Sequence, residues 1–457
     1  METTIPVEKN KDYEINIESL GINGEGVGRI EGFTVFVDGA LAGEKVLVKI
    51  VKIAKNYGFG KLLKIIEESP HRIEPKCPHF KACGGCQLQH LSYSAQLDNK
   101  TQQVKDALER IGHLEDVIVH PTIGMDDPWR YRNKAQFPVG LIRDKLALGF
   151  YASRSHDLVD IDKCPIQHEI NDVVTELIRK FINTYNISVY QESTHKGTIR
   201  HVVTKVGYNS NQLMVIIVTN GHLSKRKELV GILREGIPNI TSIIQNIQNE
   251  KTNVIIGEKN ITLWGKDHII DSIGDLKFKI SPMSFYQVNP KQTEKLYSKA
   301  LEYAALTGTE KVIDVYSGIG TISLFLAQKA EKVYGVEVIP QAIEDAIENA
   351  QLNEIENVEF LTGEAETIIP ELAATGLKAD VVLVDPPRKG CDQKLLEAIV
   401  EMSPDRMVYV SCNPATLARD LKFMGENGYK TVEVQPVDMF PWTVHVESIV
   451  LLQKKNN

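Results

Sequence analysis

Alternating apolar and polar residues mark the first part of the chain. Residues 13–18, 33–38, 44–50 and 60–66 each read as a short strand, and a glycine-rich segment covers residues 21–28. A period of two places one face of a strand against a core and the other face in solvent. Short strands at near-regular spacing are typical of a small oligonucleotide-binding barrel. We therefore predict an OB-like β-barrel over residues 1–66.

The pattern changes after this barrel. Residues 95–112 follow a helical period, with Val104, Leu108 and Ile111 on one face. Strands and helices then mix without a detectable repeat, whereas residues 283–457 alternate strand and helix with short turns. That alternation predicts a mostly parallel, doubly wound α/β sheet, Rossmann-like in class. We predict a mixed α+β central domain over 67–282, whose helix near 95–112 can pack on a third domain over 283–457.

Composition is that of an ordinary globular protein. Of 457 residues, 42% are hydrophobic and 25% are charged, which excludes disordered and fibrous classes. No apolar run is long enough to span a bilayer, and residues 1–15 lack the apolar centre of an export signal. We expect a soluble cytoplasmic protein with no membrane contact, which acts as a monomer without an obligate protein partner.

Charge is distributed unevenly along the chain. The formal net charge is −8, yet residues 45–81 hold nine Lys and Arg against three Asp and Glu. Residues 283–457 hold 16 against 26. Such a basic segment suits either nucleic-acid binding or a lysine-rich solvated strand surface. Candidate RNA contacts are the aromatic and basic run at 129–134 and six lysines: Lys45, Lys49, Lys52, Lys55, Lys61 and Lys64.

Three of the six cysteines lie within ten residues of each other. The spacing is Cys-x5-Cys-x2-Cys, formed by Cys77, Cys83 and Cys86, and Cys164 follows far downstream. Without an export signal, such a group indicates a metal site before it indicates disulfides. Four thiolates suit zinc or an iron–sulfur cluster equally. Three nearby histidines could replace one cysteine at a zinc ion: His79, His90 and His168.

The third predicted domain carries a candidate cofactor site. Its first strand runs into a glycine turn at 311–321 (KVIDVYSGIGT), and a second strand ends at Glu337, at a spacing that suits a carboxylate binding ribose hydroxyls. A later strand ends in the rigid turn Asp385-Pro-Pro387 at the same carboxyl edge. A dinucleotide site would favour a third glycine where Ser323 stands, so these features favour S-adenosylmethionine over NAD.

Two further residues have the character of reactive groups. Cys412 follows an apolar strand at 406–410, on the same predicted edge as Asp385. Glu447 lies inside an apolar strand at 444–452, where a carboxylate is costly unless it is paired or used. A buried structural cysteine and a solvated strand end are the alternatives. Cys391 also follows a loop, and we interpret it as structural.

Several motifs resemble one enzyme family. The segments are FYQVN at 285–289, DPPRKG at 385–390, SCNPAT at 411–416 and HVES at 445–448. Together they resemble the RNA 5-methyluridine methyltransferases, and GEGVG at 24–28 with GEKV at 43–46 resembles that family's TRAM domain. Ala42 stands where the family commonly has proline. The cysteine spacing is similar to that of its iron–sulfur branch, which acts on 23S ribosomal RNA.

The resemblance implies a reaction and a set of roles. It implies S-adenosylmethionine-dependent methylation of carbon 5 of a uridine in 23S rRNA, on a class I methyltransferase fold. Cys412 would add to carbon 6 and Glu447 would remove the carbon 5 proton. The cofactor contacts would be Gln287, Tyr316, Glu337 and Asp385. A [4Fe–4S] cluster, rather than zinc, would be held by Cys77, Cys83, Cys86 and Cys164.

Three alternatives stay open at this point. The same reaction could act on transfer RNA, since nothing in the residues separates the two RNA classes. The Asp385-Pro-Pro387 turn also occurs in enzymes that methylate nitrogen and need no cysteine. A third alternative is an RNA-binding or electron-transfer protein with an inactive sheet. That last alternative is disfavoured because all the candidate residues are intact: Gly318, Gly320, Glu337, Asp385 and Cys412.

Overall fold

The computed structural model describes residues 5–455, so the outermost residues of the first and third predicted domains lie outside it. Its regular elements form a barrel and two large sheets, with helices between them. The barrel strands are β1 (Asp12–Leu20), β2 (Gly26–Ile30), β3 (Phe33–Val37), β4 (Lys45–Ile53) and β5 (Tyr57–Glu67).

The next elements join the barrel to the central sheet and form it. They are α1 (Tyr93–Ala107), a π-helical turn (Leu108–Gly112), β6 (Ile118–Val119), β7 (Lys134–Ile142), β8 (Lys145–Tyr151), β9 (Leu158–Asp160), α2 (Ile170–Tyr185), β10 (Ile199–Val206), β11 (Leu213–Thr219), α3 (Arg226–Gly236), β12 (Ile240–Ile247) and β13 (Lys259–Gly265). A two-stranded hairpin follows, made of β14 (Ile269–Ile273) and β15 (Leu276–Ile280).

The remaining elements alternate strand and helix, as predicted. They are α4 (Pro290–Ala304), β16 (Lys311–Val315), α5 (Thr321–Ala327), β17 (Lys332–Glu337), α6 (Pro340–Leu352), β18 (Val358–Thr362), α7 (Ala365–Ala374), β19 (Val381–Val384), α8 (Gln393–Met402), β20 (Arg406–Ser411), α9 (Pro414–Glu426), β21 (Tyr429–Val437) and β22 (Glu447–Lys454).

The barrel closes in the order β1-β2-β3-β5-β4, which confirms the predicted OB-like unit. Its inner side is lined by alternating apolar residues such as Ile15, Val35 and Val48. The glycine-rich segment also contributes a strand, β2, which the sequence pattern did not reveal. A Cβ at Gly28 would lie 2.4 Å from Ile15 Cγ2 and 2.5 Å from Asn16 O. Only glycine therefore permits the close approach of β1 and β2.

The central sheet has seven strands in the order β13-β12-β11-β10-β7-β8-β9. One face is covered by α2 and α3 through buried residues such as Ile178, Phe181 and Leu233. The opposite face carries Val203, Met214 and Ile216, which belong to the same apolar core as α4, α5 and the β14–β15 hairpin. The central and third sheets consequently share one continuous core.

The third sheet has eight strands in the order β18-β17-β16-β19-β20-β22-β21-β6. Strands β16 to β20 are parallel, whereas β22 is antiparallel to both of its neighbours. The predicted Rossmann-like class is confirmed. The chain order reverses between β16 and β19, and ligands of such sheets bind beside the carboxyl ends of the strands at that point. Within residues 5–455, no helix is long and apolar enough to cross a membrane.

Helix α1 packs on this third sheet rather than on the central one. Val104, Ala107 and Leu108 belong to the same core as α8 and α9. Lys100 is fully buried, and its ammonium lies 2.5 Å from the carboxylate of Asp438, which is equally buried. Tyr93 donates to the other oxygen of Asp438 at 2.8 Å. The ion pair joins α1 to the chain segment between β21 and β22.

Replacing Lys100 with methionine should lower the free energy of unfolding by about 3–5 kcal/mol, because Asp438 would keep a buried charge without its cation. Urea titration followed by circular dichroism measures this change. The control is Lys11→Met, which removes an exposed ion pair with Glu8 and should cost under about 1 kcal/mol. Equal losses in the two variants would contradict the prediction.

Candidate active site at the carboxyl edge of the parallel sheet

The glycine turn after β16 leaves open space in front of it. Gly318 has φ +55°, and a Cβ added there would meet no atom within 4 Å. Gly320 has φ +82°, and its Cβ would lie 2.9 Å from Phe360 Cζ. The first glycine therefore faces a cleft, whereas the second permits tight packing of the turn.

Glu337 ends β17 directly beside this turn. Its carboxylate accepts hydrogen bonds from Gly318 N (3.1 Å) and Ile339 N (3.0 Å). These two backbone donors fix the carboxylate and leave its other lone pairs unused. Val338 and Ile339 follow it and are exposed despite being large and apolar. A fixed acceptor beside an exposed apolar surface suits a ligand that carries both hydroxyl groups and a flat ring.

Tyr316 lies between β16 and the glycine turn. It adopts φ +71°, a backbone conformation that residues other than glycine rarely take and that occurs often at functional sites. Its hydroxyl donates to Glu366 on α7 at 3.4 Å. The side chain of Tyr316 is therefore fixed by its hydrogen bond to α7 and by the core on which it packs.

The ends of β19, β20 and β22 bring Asp385, Cys412 and Glu447 together. Val384 pairs with Tyr409 and Ser411 pairs with Ser448, so the residues after β19 and β20 and at the start of β22 lie side by side at this edge. The charges of Asp385 and Glu447 accordingly both raise the pKa of the Cys412 thiol. Cys412 is held by a tight turn in which Asn413 N donates to Ser411 Oγ at 3.2 Å. Asn413 then caps α9 by accepting from Ala415 N. Asp385 and Cys412 each follow the carboxyl end of a parallel strand, and Glu447 begins β22, the antiparallel strand beside β20.

Burial dominates the electrostatics of this group. It raises the pKa of Cys412 to about 11, and the nearby carboxylates add to the effect. Burial raises the pKa of Asp385 to about 7. For Glu447, burial and then repulsion from Asp385 raise the pKa well above its usual range. The free site thus holds a protonated thiol next to Asp385, which titrates near neutral pH, and Glu447, whose affinity for its proton is raised further by burial and by Asp385.

Arg388 is a fourth member that was not singled out from the sequence. Its guanidinium lowers the pKa of both Cys412 and Glu447. Its carbonyl accepts from Asn413 Nδ2 at 3.0 Å, so the two loops that carry Arg388 and Cys412 are bonded together. The signal was present in the DPPRKG motif, where a cation directly follows the turn.

His445 and Asp314 were also missed. Arg388 Nη2 lies 3.3 Å from His445 Nδ1, and burial, followed by neighbouring cations, lowers the pKa of His445 to about 4. Asp314 accepts from Ser323 Oγ, and burial raises its pKa to about 7. The carboxylate of Asp314 inside the apolar strand at 311–315 was a detectable signal, because such a group is costly to bury unless it is paired or used.

Gln287 lies in a loop between the central and third sheets. Its backbone carbonyl accepts from Asn133 Nδ2 at 3.0 Å, and Lys205 Nζ donates to the carbonyls of Ser281 and Ser284 at 2.7 and 2.8 Å. The loop is therefore fixed, and Phe285 within it is 67% exposed. No hydrogen bond in the described part of the chain joins the Gln287 side chain to the other candidate residues.

The four cysteines outside the cleft form a second group. None of the four forms a disulfide. Charge on neighbouring members of the group raises the pKa of Cys83, Cys86 and Cys164, so the four lie in one electrostatic neighbourhood. Burial raises the pKa of Cys86 to about 12 and of Cys164 to about 11. Between residues 5 and 455, however, no three His, Cys, Asp or Glu side chains are arranged as around a metal ion.

Two known protein families match most of the described chain. The family described as tRNA (uracil-5-)-methyltransferase matches residues 92–455, and the TRAM domain matches residues 6–63. The chain belongs to the tRNA (uracil-5-)-methyltransferase family. It is thus an S-adenosylmethionine-dependent enzyme of the RNA uracil-5-methyltransferase family, and its N-terminal barrel is a TRAM domain.

Individual relatives cover the full length of this family member. An RNA methyltransferase of Halalkalibacterium halodurans is 54% identical over 452 residues, which are 99% of each chain. One from Clostridium tetani is 53% identical over 453 residues, or 99% of this chain and 98% of the relative. The solved Pyrococcus abyssi tRNA (uracil-54, C5)-methyltransferase, bound to S-adenosyl-L-homocysteine, is 30% identical with a TM-score of 0.78. That likeness covers 96% of this chain and all of the other.

Proposed function

We propose that this enzyme methylates carbon 5 of a uridine in 23S rRNA, with Cys412 as nucleophile and Glu447 as base. The observation that carries the proposal is the convergence of Cys412, Glu447 and Asp385 at one strand edge. Nitrogen methylation needs no thiol beside the acceptor, whereas carbon 5 of uracil requires one. Ribosomal RNA would be met in the cytoplasm, where we propose that the protein acts.

The chemistry follows from the poor nucleophilicity of carbon 5. Addition of the Cys412 sulfur to carbon 6 of uracil pushes an electron pair toward carbon 5, which then bonds to the incoming methyl group. Glu447 removes the proton from carbon 5, and the returning electron pair expels the sulfur. Because the free thiol has a pKa of about 11, it must first lose its proton. The carboxyl groups of Asp385 and Glu447 are the neighbouring acceptors.

S-adenosylmethionine supplies an electrophilic methyl group when bound. The residues around the glycine turn fit it, because the cleft in front of Gly318 is open and Glu337 presents a fixed carboxylate for ribose hydroxyls. The exposed side chains of Val338 and Ile339 would be covered by the purine. We assign Tyr316 and Asp385 to the same site from their place on the edge, and Gln287 from its motif.

Replacing Arg388 with methionine should slow methyl transfer by about fivefold at pH 7, a modest factor because the side chain is exposed. The guanidinium lowers the pKa of Glu447, so without it the carboxylate ionises at higher pH. The deficit should therefore narrow as the pH rises to 9, which pH–rate profiles measure. Arg388→Lys keeps the charge and is the control. An equal deficit at every pH would contradict this electrostatic role.

The outer face of the barrel suits unpaired RNA. Phe36, Tyr57 and Phe59 pack edge to face or tilted, with centroids 5.6–5.8 Å apart. Lys52 Nζ lies 5.8 Å from the centre of the Phe59 ring. Aromatic surfaces beside cations bind bases by stacking and phosphates by charge. Lys45 and Lys49 are less available, because they pair with Glu14 and Asp12.

The predicted stacking run at 129–134 is engaged inside the protein instead. Tyr131 is buried and donates to Pro441 O at 3.2 Å, and Trp129 stacks on Trp442 with centroids 4.2 Å apart. Arg130 pairs with Asp172. The interleaved aromatic and basic residues therefore join segments of the chain, and the two aromatic rings are not free to stack on RNA bases.

We propose that Cys77, Cys83, Cys86 and Cys164 hold a [4Fe–4S] cluster. Their mutual electrostatic influence supports this donor set, as does their position, since Cys77 is buried and the other three are partly buried. A cluster lies between its cysteines, so their sulfurs need not converge on one point as around zinc. Its contribution would be to brace the surrounding loops. Iron and sulfide analysis after anaerobic purification tests it, and zinc without iron would overturn it.

Methyl transfer in vitro tests the main proposal. Anaerobically purified enzyme would receive methyl-labelled S-adenosylmethionine with unmodified 23S rRNA, transfer RNA or DNA. Label in 5-methyluridine of 23S rRNA supports the proposal. Label only in transfer RNA would keep the reaction and change the substrate, an alternative favoured by the Pyrococcus abyssi relative, which is a tRNA (uracil-54, C5)-methyltransferase. Label in another nucleoside, or none, would overturn it.

A further inference from the structure

Trp442 lies in the segment between β21 and β22, five residues before Glu447. It is almost fully buried, and each of its polar groups bonds to another part of the chain. Its indole Nε1 donates to Pro128 O at 2.9 Å, and its backbone N donates to Gln96 Oε1 at 3.1 Å. Its carbonyl accepts from Gln87 N (3.1 Å) and Leu88 N (3.0 Å).

The last two donors belong to the cysteine loop, which we define as residues 83–91. This loop touches all three parts of the molecule. Gly84 N donates to Tyr151 O of the central sheet at 2.9 Å. A Cβ on Gly24 of the barrel would lie 3.0 Å from Val444 and 3.2 Å from Leu88. The barrel, the central sheet and the segment before Glu447 therefore meet at the cysteine loop.

The rings around Trp442 extend this junction. Trp442 stacks on Trp129 at an interplanar angle of 21°, and Cys86 and Cys164 pack against the same small cluster as these rings. Lys76 Nζ lies 4.8 Å from the centre of the Trp129 ring. Two of the three tryptophans of the chain thus pack in the same cluster as the cysteines, and one of them, Trp442, lies five residues before Glu447.

The backbone of Trp442 needs this support. Its φ is +69°, a strained conformation for a residue other than glycine, which persists only where the surroundings impose it. The segment it belongs to continues through Thr443, whose hydroxyl donates to Phe440 O at 2.8 Å and accepts from His445 N at 3.2 Å. If the bonds to the cysteine loop were lost, the strain would relax into the turn that carries His445.

We propose that Trp442 is a positioning residue, which makes the order of the cysteine loop a condition for correct placement of His445 and Glu447. This inference rests on the proposed function. It predicts that a change at Trp442 displaces His445 and Glu447 but leaves the cofactor cleft intact. The S-adenosylmethionine cleft is formed by β16 and β17, and two strands, β19 and β20, separate it from β22. Cofactor affinity should therefore survive changes that displace Glu447.

The experiment compares Trp442→Leu with Trp264→Leu in the full chain. Trp264 is the third tryptophan and faces Arg234, far from this junction. We expect Trp442→Leu to lower kcat by about 10²-fold, as a displacement near 1 Å can do. The dissociation constant of S-adenosylmethionine should stay within about twofold, below 1 kcal/mol. The circular dichroism couplet of the stacked indoles should vanish, whereas Trp264→Leu should leave kcat and couplet unchanged.

Two more variants make the outcome decisive. Trp129→Leu removes the stacking partner but keeps Trp442, and Cys86→Ser disturbs the loop from the other side. Both should lose the couplet and kcat while binding S-adenosylmethionine normally. A couplet that survives Cys86→Ser, or normal kcat without the couplet, would overturn the inference. So would a parallel loss of cofactor binding. If the unaltered enzyme transferred no methyl group, the proposed function would be overturned instead. The couplet and the cofactor affinity of the variants would still test whether the cysteine loop holds Trp442 in place.

Discussion

Replacing Cys412 with alanine is expected to abolish 5-methyluridine formation, with a loss of at least about 10⁴-fold. The alanine variant cannot add to carbon 6, so carbon 5 stays a poor nucleophile however well the RNA and S-adenosylmethionine bind. Glu447 and Asp385 act on the thiol of Cys412, whereas Tyr409 and Asp420 act on that of Cys391, so the second thiol does not share the position of the first. Labelled methyl transfer to 23S rRNA and transfer RNA measures the loss.

The chain offers a matched control in Cys391. This cysteine is also reduced and follows the Asp385 loop, but it is buried behind Tyr409 and Asp420. Cys391→Ala should retain most of the activity, with S-adenosylmethionine binding intact in both variants. Substantial label transferred by Cys412→Ala would contradict covalent catalysis and would point to methylation of a nitrogen at the Asp385-Pro-Pro387 turn.

Much of this site was predictable because each candidate follows a strand. Parallel strands deliver their carboxyl ends to one edge, so the ends at Val315, Glu337, Val384 and Ser411 bring Tyr316, Glu337, Asp385 and Cys412 to that edge. An apolar run predicts the strand and the first polar residue after it predicts the site. The doubly wound class follows from the same alternation.

One candidate lies outside this pattern: Glu447 was singled out as a carboxylate inside an apolar strand, but its place at this edge does not follow from the strand alone. Glu447 begins a strand that is antiparallel to β20, and its pairing of Ser411 with Ser448 depends on how the last two strands return to the sheet. No local period encodes that pairing. The place of β6 at the edge of the third sheet has the same origin, since its partner strand lies more than 300 residues away.

The aromatic run at 129–134 shows a related difficulty. Interleaved aromatic and basic residues suit RNA as well as they suit an internal junction, because stacking and cation–π contacts use the same groups. Whether the run binds RNA or joins segments of the chain depends on Trp442, which lies between two strands of the third sheet and stacks on Trp129 in the folded protein. The convergence of Cys164 with the three clustered cysteines is likewise a tertiary event. The resemblance to a family therefore predicted that group, and spacing alone did not.

Replacing Glu447 with glutamine is expected to slow turnover by about 10²–10⁴-fold and to trap the enzyme on its RNA. The amide keeps the shape of the side chain but cannot accept the carbon 5 proton. Addition of Cys412 and methyl transfer precede that step, so both can still occur. Denaturing gel electrophoresis with labelled S-adenosylmethionine should show a protein–RNA band that carries the label.

The trapped band separates two functions of the carboxyl group. Burial and the charge of Asp385 raise the pKa of Glu447, so this group is also placed to take the proton of the thiol at the start. If that earlier role dominated, Glu447→Gln would slow the first addition and no labelled adduct would accumulate. Asp385→Asn gives the comparison, since it removes the other neighbouring acceptor but leaves the base that releases the product. An adduct in Glu447→Gln that is absent in both Asp385→Asn and Cys412→Ala would place Glu447 at the final proton removal.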